Sequence, residues 1–305
     1  MTRNIGWELY RSFLAVLQEG SLSAAARSLG LTQPTIGRHV SALERALGLS
    51  LFTRSQAGLQ ATEAALALRE DAELMRSTAA ALERAARGLG QAVQGAVRIS
   101  ASEVIGVEVL PPILAALQAQ HPRLEIELVL SNRVQDLVRR EADIAVRMTA
   151  PRQDVLLATR VGEVSLGLHA HRRYLERHGE PTKLADLAGH RLIGFDQETP
   201  FLRAAGAGLP AWSREQFAAR CDSDLGQLAL LRAGLGIGIC QLALARRDPD
   251  LVRLLPQKFL LALDSWIVMH EGLRSSPRCR VTFDALVRGL RDYTAPRRGK
   301  AAAAS

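Results

Sequence analysis

One short amphipathic helix limits the fold of this chain more than any other feature. Within residues 32–47 the apolar side chains recur at helical spacing, at Ile36, Val40, Leu43 and Leu47. Thr32 predicts an N-cap, and Pro34 falls in the first turn, where a missing N–H costs little. A helix with one apolar stripe must bury that stripe on a small core, and its polar face stays outside.

A second helix precedes the first across a tight turn. Residues 24–28 read AAARS, Gly30 predicts the C-terminal stop, and Ser21 and Ser23 are both candidate N-caps. Helix, short turn and helix is the helix-turn-helix arrangement. Residues 49–62 then predict two short strands around a turn at 56–58, which resembles a β-wing.

The polar face near the N-terminus of the 32–47 helix suits a nucleic acid. A helix N-terminus favours phosphates, Gln and Arg read adenine and guanine edges in the major groove, and an arginine in the wing can reach the phosphate backbone. An ordinary amphipathic helix with a solvated polar face is the alternative, and His39 in particular fits a plain surface residue. The residues predicted to contact DNA are Ser23, Thr32, Gln33, Thr35, Arg38, His39 and Arg54.

Residues 13–64 resemble the winged helix-turn-helix of LysR-type transcriptional regulators. The shared motifs include the alanines of the second helix, Gln33-Pro34, Leu43-Glu44, Leu47-Gly48, Leu51-Phe52 and Thr62-Glu63, together with Arg38 and Arg54. The chain departs from the family pattern at two positions. Gly37 replaces a usual serine, which removes a hydroxyl and weakens the helix by up to about 1 kcal/mol, and Ala65 replaces a usual glycine.

A long helix is predicted from Thr62 to about residue 92. It carries a heptad pattern with alanine at each a position and Leu or Met at each d position: Ala65, Leu68, Ala72, Met75, Ala79, Leu82, Ala86 and Leu89. The pattern favours pairing with a second copy, and the alternative is packing on the core of its own chain. The family resemblance implies a homodimer or homotetramer, paired through this helix, that places two recognition helices on an interrupted palindrome of double-stranded DNA.

The remaining residues alternate between strands and helices. Residues 97–100, 124–130 and 143–148 predict strands, and residues 111–121 and 134–140 predict helices, which gives a parallel βαβαβ unit. Strand-like stretches follow at 164–170, 191–195, 236–240 and 265–270, and a final helix is predicted from Pro277 to about Tyr293.

This layout resembles the effector-binding half of the same family. The resemblance implies an all-α winged helix-turn-helix domain with a long linker helix, followed by an α/β two-lobed effector domain with the periplasmic-binding-protein fold. The expected boundaries are 1–61 for the DNA-binding domain, 62–93 for the linker helix and hinge, and 94–305 for the effector domain. Lobe I comprises 96–161 and 268–293, and lobe II comprises 162–267.

Ligands of such sheets bind where the carboxyl ends of strands meet the N-termini of helices. Hydroxyl and N–H groups there suit a small or aromatic carboxylate as effector, whereas Glu103 and Asp222 add negative charge and leave the effector's charge open. Ser102 and Ser223 fit simple N-caps equally well. The predicted effector-binding residues are Ser100, Ser102, Ser131, Asn132, Arg147, Thr149, Phe195, Asp222 and Ser223.

Composition and motifs argue against most other classes. A net charge of +8 suits an anionic partner, although arginine-rich surfaces also occur without one. The seven histidines and three cysteines show no metal spacing, and no catalytic motif is present, so neither an enzyme nor a resident cofactor or metal is expected. Cys221 near the expected cleft leaves oxidant sensing as a minor hypothesis.

The expected setting is the cytoplasm. The N-terminal stretch has no apolar core of a signal peptide, and no apolar run is long enough for a membrane span. The expected function is sequence-specific transcriptional regulation by a small-molecule co-inducer, with RNA polymerase as a further partner. The alternatives are an architectural DNA-binding protein without effector response and a solute-binding receptor.

Overall fold

The structure is a computed structural model that describes residues 5–55, 58–87, 93–132, 142–150, 156–197 and 214–295. The chain divides into two compact units, with the boundary between Ala86 and Arg87.

The first unit is helical apart from one hairpin. Glycines in the left-handed conformation end three of its helices, at Gly20, Gly30 and Gly48, with φ of 70°, 66° and 71°. Ser21 rather than Ser23 caps the second helix, because its side chain accepts the N–H of Ala24 at 3.1 Å. The elements are α1 (Trp7–Glu19), α2 (Leu22–Leu29), α3 (Gln33–Leu47), β1 (Phe52–Ser55), β2 (Gly58–Ala61) and α4 (Glu63–Arg87).

The predicted stripe of α3 is the centre of this unit. Ile36 and Leu43 are fully buried and Val40 nearly so, against Phe13 and Ala25 of the first two helices. The hairpin joins the same core, since the rings of Phe13 and Phe52 lie 5.8 Å apart. The helix-turn-helix and the β-wing are therefore confirmed, and they form one small module.

The heptad stripe of α4 has two different environments. Ala65 and Ala72 are buried in the core formed by α1 and α3, and Leu68 packs against the same cluster. The prediction that Ala65 and Ala72 face a second chain is therefore wrong, because the chain's own module already covers them, whereas Leu68 is half-buried at the edge of that core. Met75 is 40% exposed and Leu82 is 71% exposed. Ala79 is half-buried, whereas the side chain of Ala86 and the whole of Leu89 lie outside the described residues.

The second unit contains a mixed sheet with helices against it. Its labelled elements are β3 (Gly95–Ala101), α5 (Leu110–Gln120), β4 (Leu124–Leu130), β5 (Ile144–Arg147), β6 (Leu156–His171), α6 (Arg172–His178), β7 (Leu192–Gly194), β8 (Phe217–Arg220), α7 (Asp224–Arg232), β9 (Ile237–Gln241), α8 (Leu242–Ala245), β10 (Leu251–Leu254), β11 (Leu261–His270) and α9 (Pro277–Thr294).

The sheet has the strand order β4-β3-β5-β11-β6-β9-β7-β8, with β10 also paired to β6. β3 lies parallel to both β4 and β5, which confirms the predicted parallel arrangement. The helix predicted over 134–140 lies outside the described residues. All of β11 runs antiparallel to residues 156–166 of β6, and both strands are longer than the stretches predicted for them, because each continues from one lobe into the other.

Each lobe has its own core. In lobe I the strands β3 and β5 are covered by α5 and α9, with Ile99, Leu110, Ile144 and Leu286 fully buried. In lobe II one cluster forms around Leu168 and Tyr174, and another packs α7 and α8 against β7 and β9.

The first helix of lobe I begins earlier than its prolines predict. A short π-helical segment, Ile105–Val109, runs directly into α5, so Pro111 and Pro112 lie within a continuous helical stretch. Proline cannot donate the N–H that an α-helix sends to the carbonyl four residues earlier. The carbonyl of Glu108, four residues before Pro112, therefore lacks the α-helical bond from that position.

Candidate DNA-binding surface and effector cleft

The N-terminus of α3 presents a connected set of polar side chains to solvent. Thr32 caps the helix, with its Oγ1 3.4 Å from the N of Thr35, and the two hydroxyl oxygens lie 2.8 Å apart. Arg38 donates from Nη2 to the Thr35 hydroxyl at 3.4 Å. Gln33 and Arg38 are exposed. The hydroxyls orient the guanidinium along the outer face while its other N–H groups stay open to an external acceptor.

The electrostatics of this helix end favour an anion. The first turn of α3 contains no acidic residue. The positive end of the helix dipole therefore meets no carboxylate in that turn, and a phosphate or a base edge can approach it.

Three other residues were predicted to contact DNA, and the structure places each of them differently. His39 points inward from α3, because its Nδ1 lies 2.7 Å from the hydroxyl of the buried Ser12 on α1. It joins two helices, so its placement on the outward face was wrong. Ser23 is exposed on α2 without capping it. The backbone of Arg54 pairs with Leu59 in the wing, and its side chain lies outside the described residues.

Gly37, where the sequence departs from the family pattern, sits half-buried on α3. A Cβ at this position would meet only Leu22 Cδ1, at 3.9 Å. The departure is therefore not enforced by crowding within the described residues.

Two of the predicted effector residues are already buried against each other. Ser100 is 1% exposed and Arg147 is 6% exposed, and Arg147 donates from Nη2 to the Ser100 hydroxyl at 2.8 Å and from Nη1 to the carbonyl of Val146 at 3.0 Å. β3 continues past Ser100 to Ala101, so Ser100 lies within the strand rather than at its end. Both side chains are therefore buried, and their effector-binding role stays a prediction, whereas Thr149 beside them is exposed.

The ends of the two lobes touch where the cleft is expected. Ser223, the N-cap of α7 in lobe II, donates from its hydroxyl to Glu103 Oε2 of lobe I at 2.7 Å. Asn132 of lobe I donates from Nδ2 to Asp224 Oδ2 at 3.0 Å. Asn132 and Ser223 are thus brought together, as predicted for residues of one cleft, through two acidic partners that were not predicted as site residues.

The remaining predicted effector residues lie at strand ends and in a loop of the two lobes. Asp222 accepts the N–H groups of Asp196 and Gln197, both at 2.9 Å, and so anchors the chain that follows β7. Phe195 is half-buried beside them. In lobe I, Ser102 and Ser131 are half-buried at the ends of β3 and β4. None of these contacts tests whether a ligand binds there.

The pKa values of two carboxyl groups between the lobes, those of Asp224 and Glu108, shift in opposite directions. Burial and the nearby charge of Glu103 raise the pKa of Asp224 above its usual range, and the hydrogen bond from Asn132 opposes that rise. Glu108 behaves in the opposite way, because a two-pronged contact with Arg232, at 2.6 and 3.1 Å, lowers the pKa of its carboxyl. The carbonyl of Glu108 that Pro112 leaves open accepts Arg247 Nη1 at 2.7 Å.

Sequence reasoning missed Asp224, Glu108, Arg232 and Arg247, and treated Glu103 only as a source of negative charge. Their roles depend on partners more than 100 residues away along the chain, apart from the contact of Asp224 with Asn132, at 92 residues. The double proline after Glu108 was the one local signal, since it predicts an unpaired carbonyl within the helix.

Two surface grooves border the C-terminal end of α9. Their volumes are about 380 and 520 Å³, and both are lined by Ala243, Arg246 and Tyr293. None of the predicted effector residues lines either groove, so these spaces are separate from the contacts between Glu103 and α7.

Family models match both units. The model of the LysR substrate binding domain matches residues 90–291, and that of the bacterial regulatory helix-turn-helix protein, lysR family, matches residues 7–66. The chain therefore belongs to the LysR family of transcriptional regulators, with a DNA-binding helix-turn-helix domain and an effector-binding domain. Because the family consists of regulators, the chain is a regulator rather than an enzyme.

Individual relatives agree with this assignment. An HTH-type transcriptional regulator from Xanthomonas campestris pv. campestris is 32% identical over 183 residues, which span 60% of this chain and about half (53%) of that protein. The regulator LtrA from Klebsiella pneumoniae is 27% identical over 285 residues, covering 90% of this chain and 91% of its own. Full-length CbnR, solved with its target DNA, shares the fold, with a TM-score of 0.64 at 22% identity, over 93% of this chain and 99% of that chain.

No described helix is both long and apolar enough to cross a membrane. No group of three or more His, Cys, Asp or Glu side chains among the described residues could hold a metal ion. Cys240 and Cys279 are buried, and burial raises the pKa of the Cys240 thiol to about 11.

Proposed function

We propose that this regulator inserts the N-terminus of α3 into the major groove of double-stranded DNA and reads sequence there with Gln33, Thr35 and Arg38. The observation that carries the proposal is the exposed, acid-free first turn of α3 on a helix whose opposite face is fully buried. CbnR, which shares the fold, was solved with its target DNA. Gln and Arg are the side chains that pair with adenine and guanine edges.

The assembly we propose is a homodimer, or a homotetramer built from such dimers. The exposed Met75 and Leu82 continue the heptad stripe beyond the part buried in the module, so the second half of α4 offers an apolar seam to another copy. Two modules joined in this way would meet the two halves of an interrupted palindrome.

Regulation, in this proposal, comes from a small-molecule co-inducer bound between lobes I and II. The strand ends of lobe I and the N-terminus of α7 meet there, as expected for ligand sites in α/β sheets. A small or aromatic carboxylate remains the proposed effector, with no resident cofactor, the cytoplasm as the setting and RNA polymerase as a downstream partner.

A salt-titrated footprint on the DNA upstream of the protein's own gene tests the DNA contact. Arg38→Ala is compared with wild type and with Arg45→Ala, an exposed arginine in the last turn of the same helix. We expect Arg38→Ala to lose about 5- to 150-fold in affinity together with sequence preference. Equal losses for both variants would refute base reading by Arg38, and binding without any preferred operator would favour the architectural alternative.

Sedimentation of the full chain tests the pairing helix. Leu82→Glu puts a charge into the proposed seam, whereas Leu66→Glu puts the same charge on an exposed leucine (55%) elsewhere on α4, about 160° around the helix. We expect only Leu82→Glu to shift the protein toward monomer. A monomeric wild type, or an equal shift in both variants, would contradict the assignment.

A further inference from the structure

We propose that Glu103 is a tethered occupant of the effector cleft: its carboxylate holds the N-terminus of α7 until a small molecule with its own carbonyl or carboxylate acceptor replaces it. This inference rests on the proposed function, because it takes the space between the lobes as the effector site.

The carboxylate of Glu103 makes the contacts that a bound anion would make. Its Oε2 accepts the hydroxyl of Ser223 at 2.7 Å and lies 3.4 Å from the N of Leu225 in the first turn of α7. The same hydroxyl accepts the N–H of Gly226 at 3.3 Å and so links the carboxylate to the helix end. Helix N–H groups and the helix dipole stabilise a negative charge at this place.

Side chains from both lobes reinforce this contact. Asn132 works in two directions, because its Oδ1 accepts the N–H of Glu103 at 3.2 Å while its Nδ2 donates to Asp224. Val104, the neighbour of Glu103, packs against the lobe II cluster around Leu228 and Cys240. The approach of Glu103 to α7 is therefore part of a formed interface.

The contact is also one that a ligand can displace. Glu103 and Asp224 bring two carboxylates together, and the charge of Glu103 contributes to raising the pKa of Asp224. An effector with a carbonyl acceptor would remove that repulsion, and a carboxylate effector would gain the same donors that Glu103 uses. Glu103 lies at the start of its helix, beside β3, so its side chain can leave α7 without breaking the strand.

A separate set of contacts keeps the lobes joined when Glu103 leaves. Arg232 of lobe II holds the Glu108 carboxylate, and Arg247 of lobe II holds the Glu108 carbonyl. Tyr293 of lobe I donates its hydroxyl to Gln241 of lobe II at 2.6 Å. Replacement of Glu103 is therefore expected to change one edge of the interface rather than separate the lobes.

Hydrogen–deuterium exchange of the full-length protein tests this inference. The readout is the peptide that covers residues 222–230, compared between wild type, Glu103→Ala and the control Glu125→Ala, which removes an exposed carboxylate from β4. We expect Glu103→Ala to speed exchange in this peptide by about tenfold or more, because a charge-assisted contact is lost, and we expect no change in Glu125→Ala.

Chemical rescue then separates an acceptor site from general loosening. Sodium acetate added to Glu103→Ala should restore protection of the 222–230 peptide, whereas sodium chloride at equal ionic strength should not. Glu103→Gln keeps one acceptor oxygen, so it should exchange much like wild type and show no response to acetate, whereas Glu103→Ser, which also lacks an acceptor that reaches α7, replaces the alanine variant if that variant does not fold.

The inference is overturned if Glu103→Ala exchanges like wild type, if Glu125→Ala responds equally, if Glu103→Gln exchanges as fast as the alanine variant, or if acetate and chloride act alike. The exchange readout uses neither DNA nor effector. Failure of the proposed function would appear in the footprint, and failure of this inference would appear in the exchange of α7.

Discussion

The N-termini of α3 and α7 are capped in the same way, yet only α3 leaves its first turn open. Thr32 caps α3 and Ser223 caps α7, each through a side-chain oxygen that accepts a backbone N–H. The first turn of α3 has no acid and faces solvent, whereas α7 carries Asp224 and receives the carboxylate of Glu103. This difference shows that a hydroxyl N-cap predicts where a helix begins but not whether a ligand can bind at that helix end.

The two ends therefore differ in their availability to an outside anion. At α3 a phosphate or base edge meets the exposed side chains of Gln33 and Arg38 and no carboxylate, so binding displaces no acid. At α7 a ligand must compete with a carboxylate of the same chain. Substitutions that make one end resemble the other are the direct way to test this contrast.

Adding an acid to α3 should have the largest effect. In Gln33→Asp the new carboxylate meets the helix dipole, which favours folding by about 0.3–1 kcal/mol, but it repels phosphate. We expect DNA affinity to fall by about tenfold or more, measured by fluorescence anisotropy on the operator.

Gln18→Asp, on the exposed last turn of α1, changes the net charge equally and controls for it. Equal losses of affinity in the two variants would mean that overall charge, rather than the open end of α3, governs binding.

Removing the caps should cost unequal amounts of stability. Ser223 bonds both Gly226 and Glu103, whereas the bond from Thr32 to Thr35 is long, at 3.4 Å. We expect Ser223→Ala to lower the opening free energy of α7 by about 1–2 kcal/mol, and Thr32→Ala to lower that of α3 by about 0.5–1 kcal/mol.

Native-state hydrogen exchange measures both helix openings in one sample. Ser223→Thr and Thr32→Ser retain a hydroxyl and should lie close to wild type. Equal costs for the two alanine variants would show that Glu103 adds nothing to the cap of α7.

Neutralising Asp224 should stabilise the protein modestly, and only when the carboxylate is charged. The folded pKa of Asp224 is raised above the unfolded value of 3.8, so the stability lost to its ionisation grows from about that pH and is complete once the pH exceeds the folded pKa. We expect Asp224→Asn to gain at most about 1 kcal/mol at pH 7, because the helix dipole favours the charge by a similar amount.

Urea unfolding across the acidic range checks the sign. The gain should shrink as the pH falls toward 3.8, where Asp224 also becomes protonated in the unfolded chain. Asp284→Asn, an exposed acid on α9, is the control. A gain that grows on acidification would contradict the assigned direction.

The smallest expected change is at Gly37 on the open helix. Since a Cβ there meets only Leu22 Cδ1 at 3.9 Å, Gly37→Ala should stabilise α3 by about 0.4–1 kcal/mol without altering its exposed donors. Thermal unfolding measures the gain, and an unchanged DNA affinity is expected. A destabilised variant would mean that α3 needs the glycine.

Local pattern was enough to predict much of the fold. The spacing of Ile36, Val40 and Leu43 predicted the buried face of α3, and the alternation of strands and helices predicted the parallel part of the sheet. These features depend on periodicity within a few turns or strands. The sequence also predicted that Asn132 and Ser223 belong to one place, since Asn132 follows a strand and Ser223 precedes a helix of the α/β domain.

What could not be predicted depends on contacts distant in sequence. The burial of Ser100 with Arg147, the inward turn of His39 and the reach of Glu103 to α7 join residues 47, 27 and 120 positions apart. An apolar heptad likewise predicts that one face of a helix is buried, but it does not identify the chain that buries it. That is why the pairing role predicted for Ala65 and Ala72 was wrong.

The buried first half and the exposed second half of α4 differ in which substitutions they can accept. Ala65 and Ala72 are buried, so a larger side chain at either position would disturb the packing of the helix-turn-helix module. Leu82 is exposed, so a substitution there leaves the packing of that module unchanged. Under the proposed pairing, substitutions in the last turns of α4 would change which copies of the chain associate and leave the DNA-binding module intact.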